Sequence, residues 1–108
     1  MMDRITRLKE YININGADSF LQHALALEYI KIGNDKEAKI LFKEILKREP
    51  TYVGSYFHFG KLLERIGEPH GAMHIYQKGM KEAKSANDSN SYNELQAAFE
   101  DIEDELKG

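Results

Sequence analysis

The sequence predicts an all-α fold, and three observations carry the prediction. Between breaks, apolar residues recur at steps of three and four, the spacing of one helix face. No stretch sustains the alternation of period two that a half-buried strand would need. A block of letters also returns along the chain: Lys31, Ile32, Gly33, Ala38 and Phe42 are answered 34 positions later by Arg65, Ile66, Gly67, Ala72 and Tyr76. A period of that size marks a repeated supersecondary unit.

The elements follow in order. Residues 3 to 13 carry Ile5, Leu8 and Ile12 on one face. Residues 19 to 32 carry Phe20 or Leu21, then Leu25, Ala26 and Tyr29. Gly33 follows directly, where a left-handed residue ends a helix without a Cβ penalty. Asn34 with Glu37 then forms a capping box for a helix over 36 to 48, striped with Ala38, Leu41, Phe42, Ile45 and Leu46. Residues 53 to 66 offer Tyr56, Phe59, Gly60, Leu63 and Ile66, ending at Gly67. Pro69 suits the first turn of a helix over 70 to 84, which carries Met73, Tyr76, Met80 and Ala83. After the polar loop 85 to 90, Ser91 and Glu94 supply a second capping box for a helix over 91 to 106. Its stripe is Tyr92, Leu95, Phe99, Ile102 and Leu106, with Glu94, Glu100, Asp101, Asp104 and Glu105 outward. Turns of about three residues between such helices imply antiparallel hairpins.

Composition sets the outer limits. The chain of 108 residues is expected to form a single domain over 1–108, large enough to bury a core. A hydrophobic share of 42% and a charged share of 31% describe a globular chain. A formal net charge of −3 argues against a nucleic-acid partner, which needs a basic surface. With no cysteine there is no disulfide framework and no thiolate chemistry. The apolar runs are too short to span a membrane, and the opening residues lack a secretory apolar core, so a cytoplasmic location is expected.

The unit from Ser19 to Tyr52 resembles a tetratricopeptide repeat. The letters that carry the resemblance are Leu25, Ala26, Tyr29, Ala38, Phe42 and the closing Pro50. A second copy, residues 53–86, carries Tyr56, Phe59, Gly60, Leu63, Ala72 and Tyr76. It keeps an aromatic at the opening Trp position, which Gln22 holds in the first copy, and has Lys84 where the proline would stand. The resemblance implies a right-handed superhelical stack of antiparallel hairpins, about six helices in all. Residues 3–13 then form an N-terminal flanking helix and residues 91–106 a C-terminal capping helix, apolar inward and acidic outward. Small residues at Ala26, Ala38, Gly60 and Ala72 let the helix backbones of a hairpin approach closely. Phe42 and Tyr76 are expected to fill the space between one hairpin and the next. These letters are structural, and they do not identify a function.

Sites for chemistry are thin. His70 and His74 stand four apart on one helix, a chelating spacing, but a third ligand would require Glu64 or Glu68 to swing into place. Exposed histidines are the plainer reading, and no metal or cofactor is expected. His23 and His58 have no Asp, Ser or Cys at a motif spacing, and no phosphate loop follows a strand, so the chain does not look like an enzyme. The resemblance does imply a binding groove lined by the first helix of each repeat. Its positions hold Phe20, His23, Leu27, Ile30 and Lys31 in the first copy, and Phe57, His58, Lys61 and Arg65 in the second. Relatives that clamp the acidic C-terminus of heat-shock chaperones use Lys and Asn. Here His23, Leu27 and His58 hold the matching places, so that clamp is not expected. The function implied is an adaptor that takes a protein or peptide segment in the groove. The rival is self-association through the same apolar residues, which would make the chain a monomer or a weak homodimer.

Overall fold

The computed structural model describes residues 3–108. Six helices make up the fold: α1 Arg4–Asn15, α2 Ser19–Lys31, α3 Asp35–Arg48, α4 Gly54–Arg65, α5 Pro69–Ser85 and α6 Ser89–Lys107. Among the described residues there is no strand. The chain divides into two compact units, Met1–Glu49 and Pro50–Gly108.

In the first unit α2 packs against both α1 and α3. Leu8 of α1, Leu25, Ala26 and Tyr29 of α2, and Ala38, Phe42 and Ile45 of α3 are buried. Asp3 and Asp18 cap the first two helices by accepting the N–H groups of Thr6 at 2.8 Å and Leu21 at 3.0 Å. Asn34 accepts the Glu37 N–H at 3.4 Å, one half of the expected capping box. Its own N–H donates back to the Tyr29 carbonyl at 2.8 Å, closing the end of α2 instead.

In the second unit α5 lies between α4 and α6, and α4 also touches α6. Tyr56, Phe59, Leu62, Leu63, Ala72, Tyr76, Ala83, Leu95, Ala98 and Ile102 are buried. Two close approaches set the helix spacing. A Cβ built on Gly60 would stand 2.1 Å from Cε1 of Tyr76, and one on Gly79 would stand 2.6 Å from Cβ of Tyr56. Tyr76 thus packs within its own hairpin, over Gly60, and takes the room that the missing side chain leaves. Pro69 opens α5, where its absent N–H has no intrahelical partner to lose.

The third hairpin turn departs from the sequence reading. Residues 85 to 90 are not an open loop, because α5 runs to Ser85 and α6 starts at Ser89. Asn87 adopts φ 57°, joining Gly33 at 78° and Gly67 at 83°. All three end a helix with the same pair of bonds: Asn87 donates to Lys84 at 3.1 Å, and the next residue, Asp88, donates to Ala83 at 2.9 Å. Asn tolerates the left-handed region better than most residues, which is why it can serve where Gly serves twice. Asp88, not Ser91, is the N-cap of α6. Its carboxylate accepts the Ser91 N–H at 3.1 Å and the Ser91 hydroxyl at 2.7 Å. These bonds favour the ionised form and hold its pKa below the usual carboxylate value. On α6 the inward stripe is Leu95, Ala98 and Ile102, while Tyr92 and Phe99 are half-buried and Leu106 is 43% exposed.

Candidate functional site: the open faces of α2 and α4

Each candidate residue sits on a helix whose other side is committed to the core. On α2, Leu25, Ala26 and Tyr29 are buried, and the positions between them look outward. Phe20 is 69% exposed. Leu27 and Ile30 are half-buried and Lys31 is exposed. His23 is half-buried with its ring edge-on to Phe42, centroids 5.9 Å apart. Lys31 pairs with Glu28 at 3.0 Å, and Glu28 also meets Arg4 of α1 at 3.5 Å.

A polar clasp holds the other end of α2. Gln22, buried at the position where an aromatic stands in the second copy, donates to Glu44 at 3.0 Å and accepts from Arg48 at 2.6 Å. Arg48 also donates to the Ser19 hydroxyl at 2.9 Å, which in turn donates to Glu49 at 2.8 Å. The clasp ties α2 to the last turn of α3, and it satisfies two buried polar side chains that would otherwise be costly. In the second unit the corresponding aromatic, Tyr56, is fully buried and its hydroxyl donates to the Pro50 carbonyl at 2.6 Å.

On α4 the face is built around Phe57, half-buried, with His58 edge-on at 5.7 Å. The Lys61 ammonium stands 5.6 Å over the Phe57 ring and 3.6 Å from Glu64. Arg65 is exposed at the end of the helix. Glu64 accepts the hydroxyl of the buried Tyr76, so the ion pair on this face is tied to the core below it. Burial, and next the hydrogen bond to Glu64, push the Tyr76 pKa far above the ordinary tyrosine value.

Phe20, Lys31, Lys61 and Arg65 are exposed, while His23, Leu27, Ile30, Phe57 and His58 are only partly accessible. The sequence reading missed Glu28, the carboxylate that holds Lys31. Its signal was present as an acid–base pair three apart. His70 and His74 are exposed on α5. Among the described residues no group of three or more His, Cys, Asp or Glu side chains converges as a metal site would need. An open cleft of about 350 Å³ lies at the α5–α6 turn, lined by Lys84, Asn87, Asp88 and Tyr92 among others, away from the α4 face. No helix of the described residues is long and apolar enough to cross a membrane.

Comparison with known proteins fits this arrangement. The tetratricopeptide repeat profile matches residues 21–52. The crystal structure of a tetratricopeptide repeat domain protein from Salinibacter ruber is 37% identical, covers 81% of this chain and 97% of its own, and superposes with a TM-score of 0.77. The chain belongs to the tetratricopeptide repeat family. Two further repeat-like structures share the fold at lower identity. A Bordetella parapertussis protein has a TM-score of 0.84 at 24% identity, covering 97% of this chain and 91% of its own. The Sgt2 TPR domain from Aspergillus fumigatus has a TM-score of 0.78 at 18% identity, covering 96% and 69%. Among curated proteins nothing matches. Tetratricopeptide repeats are generally protein–protein interaction modules and generally non-catalytic.

Proposed function

We propose that the chain is a non-catalytic adaptor that binds a protein or peptide segment through the outward faces of α2 and α4. The observation that carries this reading is the split character of α2. Leu25, Ala26 and Tyr29 supply its core contact, yet Phe20, Leu27 and Ile30 remain wholly or partly open to solvent. Three large apolar side chains on one accessible helix face are costly to leave bare and are available to a partner. On α4, Phe57 plays the same part. Lys31 on α2, and Lys61 and Arg65 on α4, favour a segment with apolar side chains flanked by carboxylates. A cytoplasmic location belongs to the same reading.

The test is selection from a peptide library on the wild-type protein, followed by titration of the selected peptides. Leu27→Asp and Phe57→Asp should melt close to wild type and lose the peptides. An Asp forced into a true core position would instead cost several kcal/mol, from lost burial and the desolvation of a charge. Variants that unfold would return Leu27 and Phe57 to the core and end the adaptor reading at this surface. Folded variants that keep full affinity would end it as well.

A further inference from the structure

The adaptor reading leaves a second accessible surface unused. On α1, Arg4, Arg7, Tyr11 and Ile14 follow one another at steps of three, four and three, so they form one stripe along the helix. All four are exposed: the Arg4 side chain is 64% accessible, Tyr11 53% and Ile14 79%. On α6, Gln96, Phe99, Glu103 and Leu106 follow the same steps of three, four and three. Gln96 and Leu106 are exposed, and Phe99 and Glu103 are half-buried beside the core stripe of Leu95, Ala98 and Ile102.

The charges of the two helices are opposed. α1 carries Arg4, Arg7 and Lys9 against Glu10 alone. α6 carries Glu94, Glu100, Asp101, Glu103, Asp104 and Glu105 against Lys107 alone. Matched spacing with opposite charge is what an antiparallel helix pair requires of its two partners. Laid antiparallel, the stripes set Arg7 against Glu103 and Tyr11 against Phe99, with Arg4 beside Leu106 and Ile14 beside Gln96. Each apolar residue then meets the apolar part of its counterpart, and the exposed guanidinium of Arg7 meets a carboxylate.

We propose that two copies of this chain associate head to tail, α1 of one copy lying antiparallel on α6 of the next. The contact is heterologous, using a different patch on each copy. It uses neither the α2 nor the α4 face, so it stands apart from the adaptor reading. The stripes extend over about 15 Å of helix, which makes the interface small. Association is accordingly weak, and it weakens further as salt screens the charges.

Sedimentation velocity over a concentration series tests this. The wild type should gain mass with concentration and lose that gain in high salt. Arg7→Glu alone and Glu103→Arg alone should each weaken association by about tenfold, because each sets like charges against one another. An equimolar mixture of the two variants restores an acid–base pair at both kinds of contact, and it should associate like wild type. Tyr11→Ser, at an exposed position, should also weaken association while melting like wild type. A wild type that stays monomeric up to about 1 mM would overturn the proposal. So would a mixture that fails to recover while both variants melt like wild type, or a Tyr11→Ser protein that associates undiminished.

Discussion

Two glycines on one helix should respond to alanine with opposite signs. Gly79 faces α4 and α6, and a Cβ there would lie 2.6 Å from Cβ of Tyr56 and 2.9 Å from Cδ1 of Leu95. Ordinary carbon contacts lie near 3.5–4.0 Å, so about 1 Å of movement is needed. The Leu95 methyl is the far end of a side chain and can turn aside. The Tyr56 Cβ cannot, because it moves only with the α4 backbone, and the ring beyond it is fully buried with its hydroxyl bonded to Pro50. Overpacking of this kind costs about 1–3 kcal/mol, against a gain of about 0.5–1 kcal/mol from replacing a helical Gly with Ala. Gly79→Ala should therefore be net destabilising by about 1–2 kcal/mol. At Gly71, in the first turn of the same helix, the nearest atoms to a built Cβ are 3.8 Å away, an ordinary contact. Gly71→Ala should be neutral or stabilising, by up to about 1 kcal/mol. Thermal melts followed by circular dichroism separate the two, since a domain of this size shifts by about 4–8 °C per kcal/mol. If both variants shift in the same direction, the close approach of α5 to α4 does not limit stability.

Three further outcomes follow from the same packing. Ala38→Leu and Ala72→Leu, at fully buried positions, should each lower stability by about 1–3 kcal/mol in urea titrations; wild-type midpoints for both would mean the hairpins have slack. Gly33→Val should cost about 1–3 kcal/mol because a β-branched residue is strained at φ 78°, whereas Asn87→Gly, at φ 57°, should leave the melting point unchanged or raise it. Tyr76 is held protonated by burial and by its bond to Glu64, so its contribution is complete below the ordinary tyrosine pKa of 10.0 and is lost progressively as pH rises above it. An ultraviolet titration should show Tyr76 ionising only as the protein unfolds, and ionisation of every tyrosine with the helical signal intact would contradict this.

What the sequence made legible was whatever depends on near neighbours in the chain. Gly33 and Gly67 stand directly after a helical stripe, so their left-handed role could be read from position alone. The buried faces of α2, α3 and α4 repeat at helical steps and were read with few omissions, Leu62 being one. Contacts made across helices were less legible. Gly79 carries no local signal of a tight turn, because its reason is the Tyr56 Cβ more than twenty positions earlier. Gln22 looked like a mere departure from an aromatic position, since its partners Glu44 and Arg48 belong to another helix. Asn87 and Asp88 were read as loop because Ser91 and Glu94 offered a capping pattern of equal quality nearby. Of the candidate site, the sequence supplied the candidate groove residues but not Glu28, the carboxylate that holds Lys31.

The same division explains why the fold is so much easier to read than the function. On α2 the residues that hold the helix in place, Leu25, Ala26 and Tyr29, meet partners within the protein, and those partners constrain their size and polarity. Ala26 is a case in point, being fully buried where a larger side chain would have to displace a neighbouring helix. Phe20 and Lys31 are exposed and meet no such constraint, and Leu27 and Ile30 are partly covered. Other side chains could stand at Phe20 and Lys31 at little cost to stability, because surface substitutions are usually worth within about 0.5 kcal/mol. Stability therefore does not account for Phe20, 69% exposed, where a polar residue would be the cheaper choice in water. A partner that covers Phe20 is the demand that the proposed adaptor role would supply.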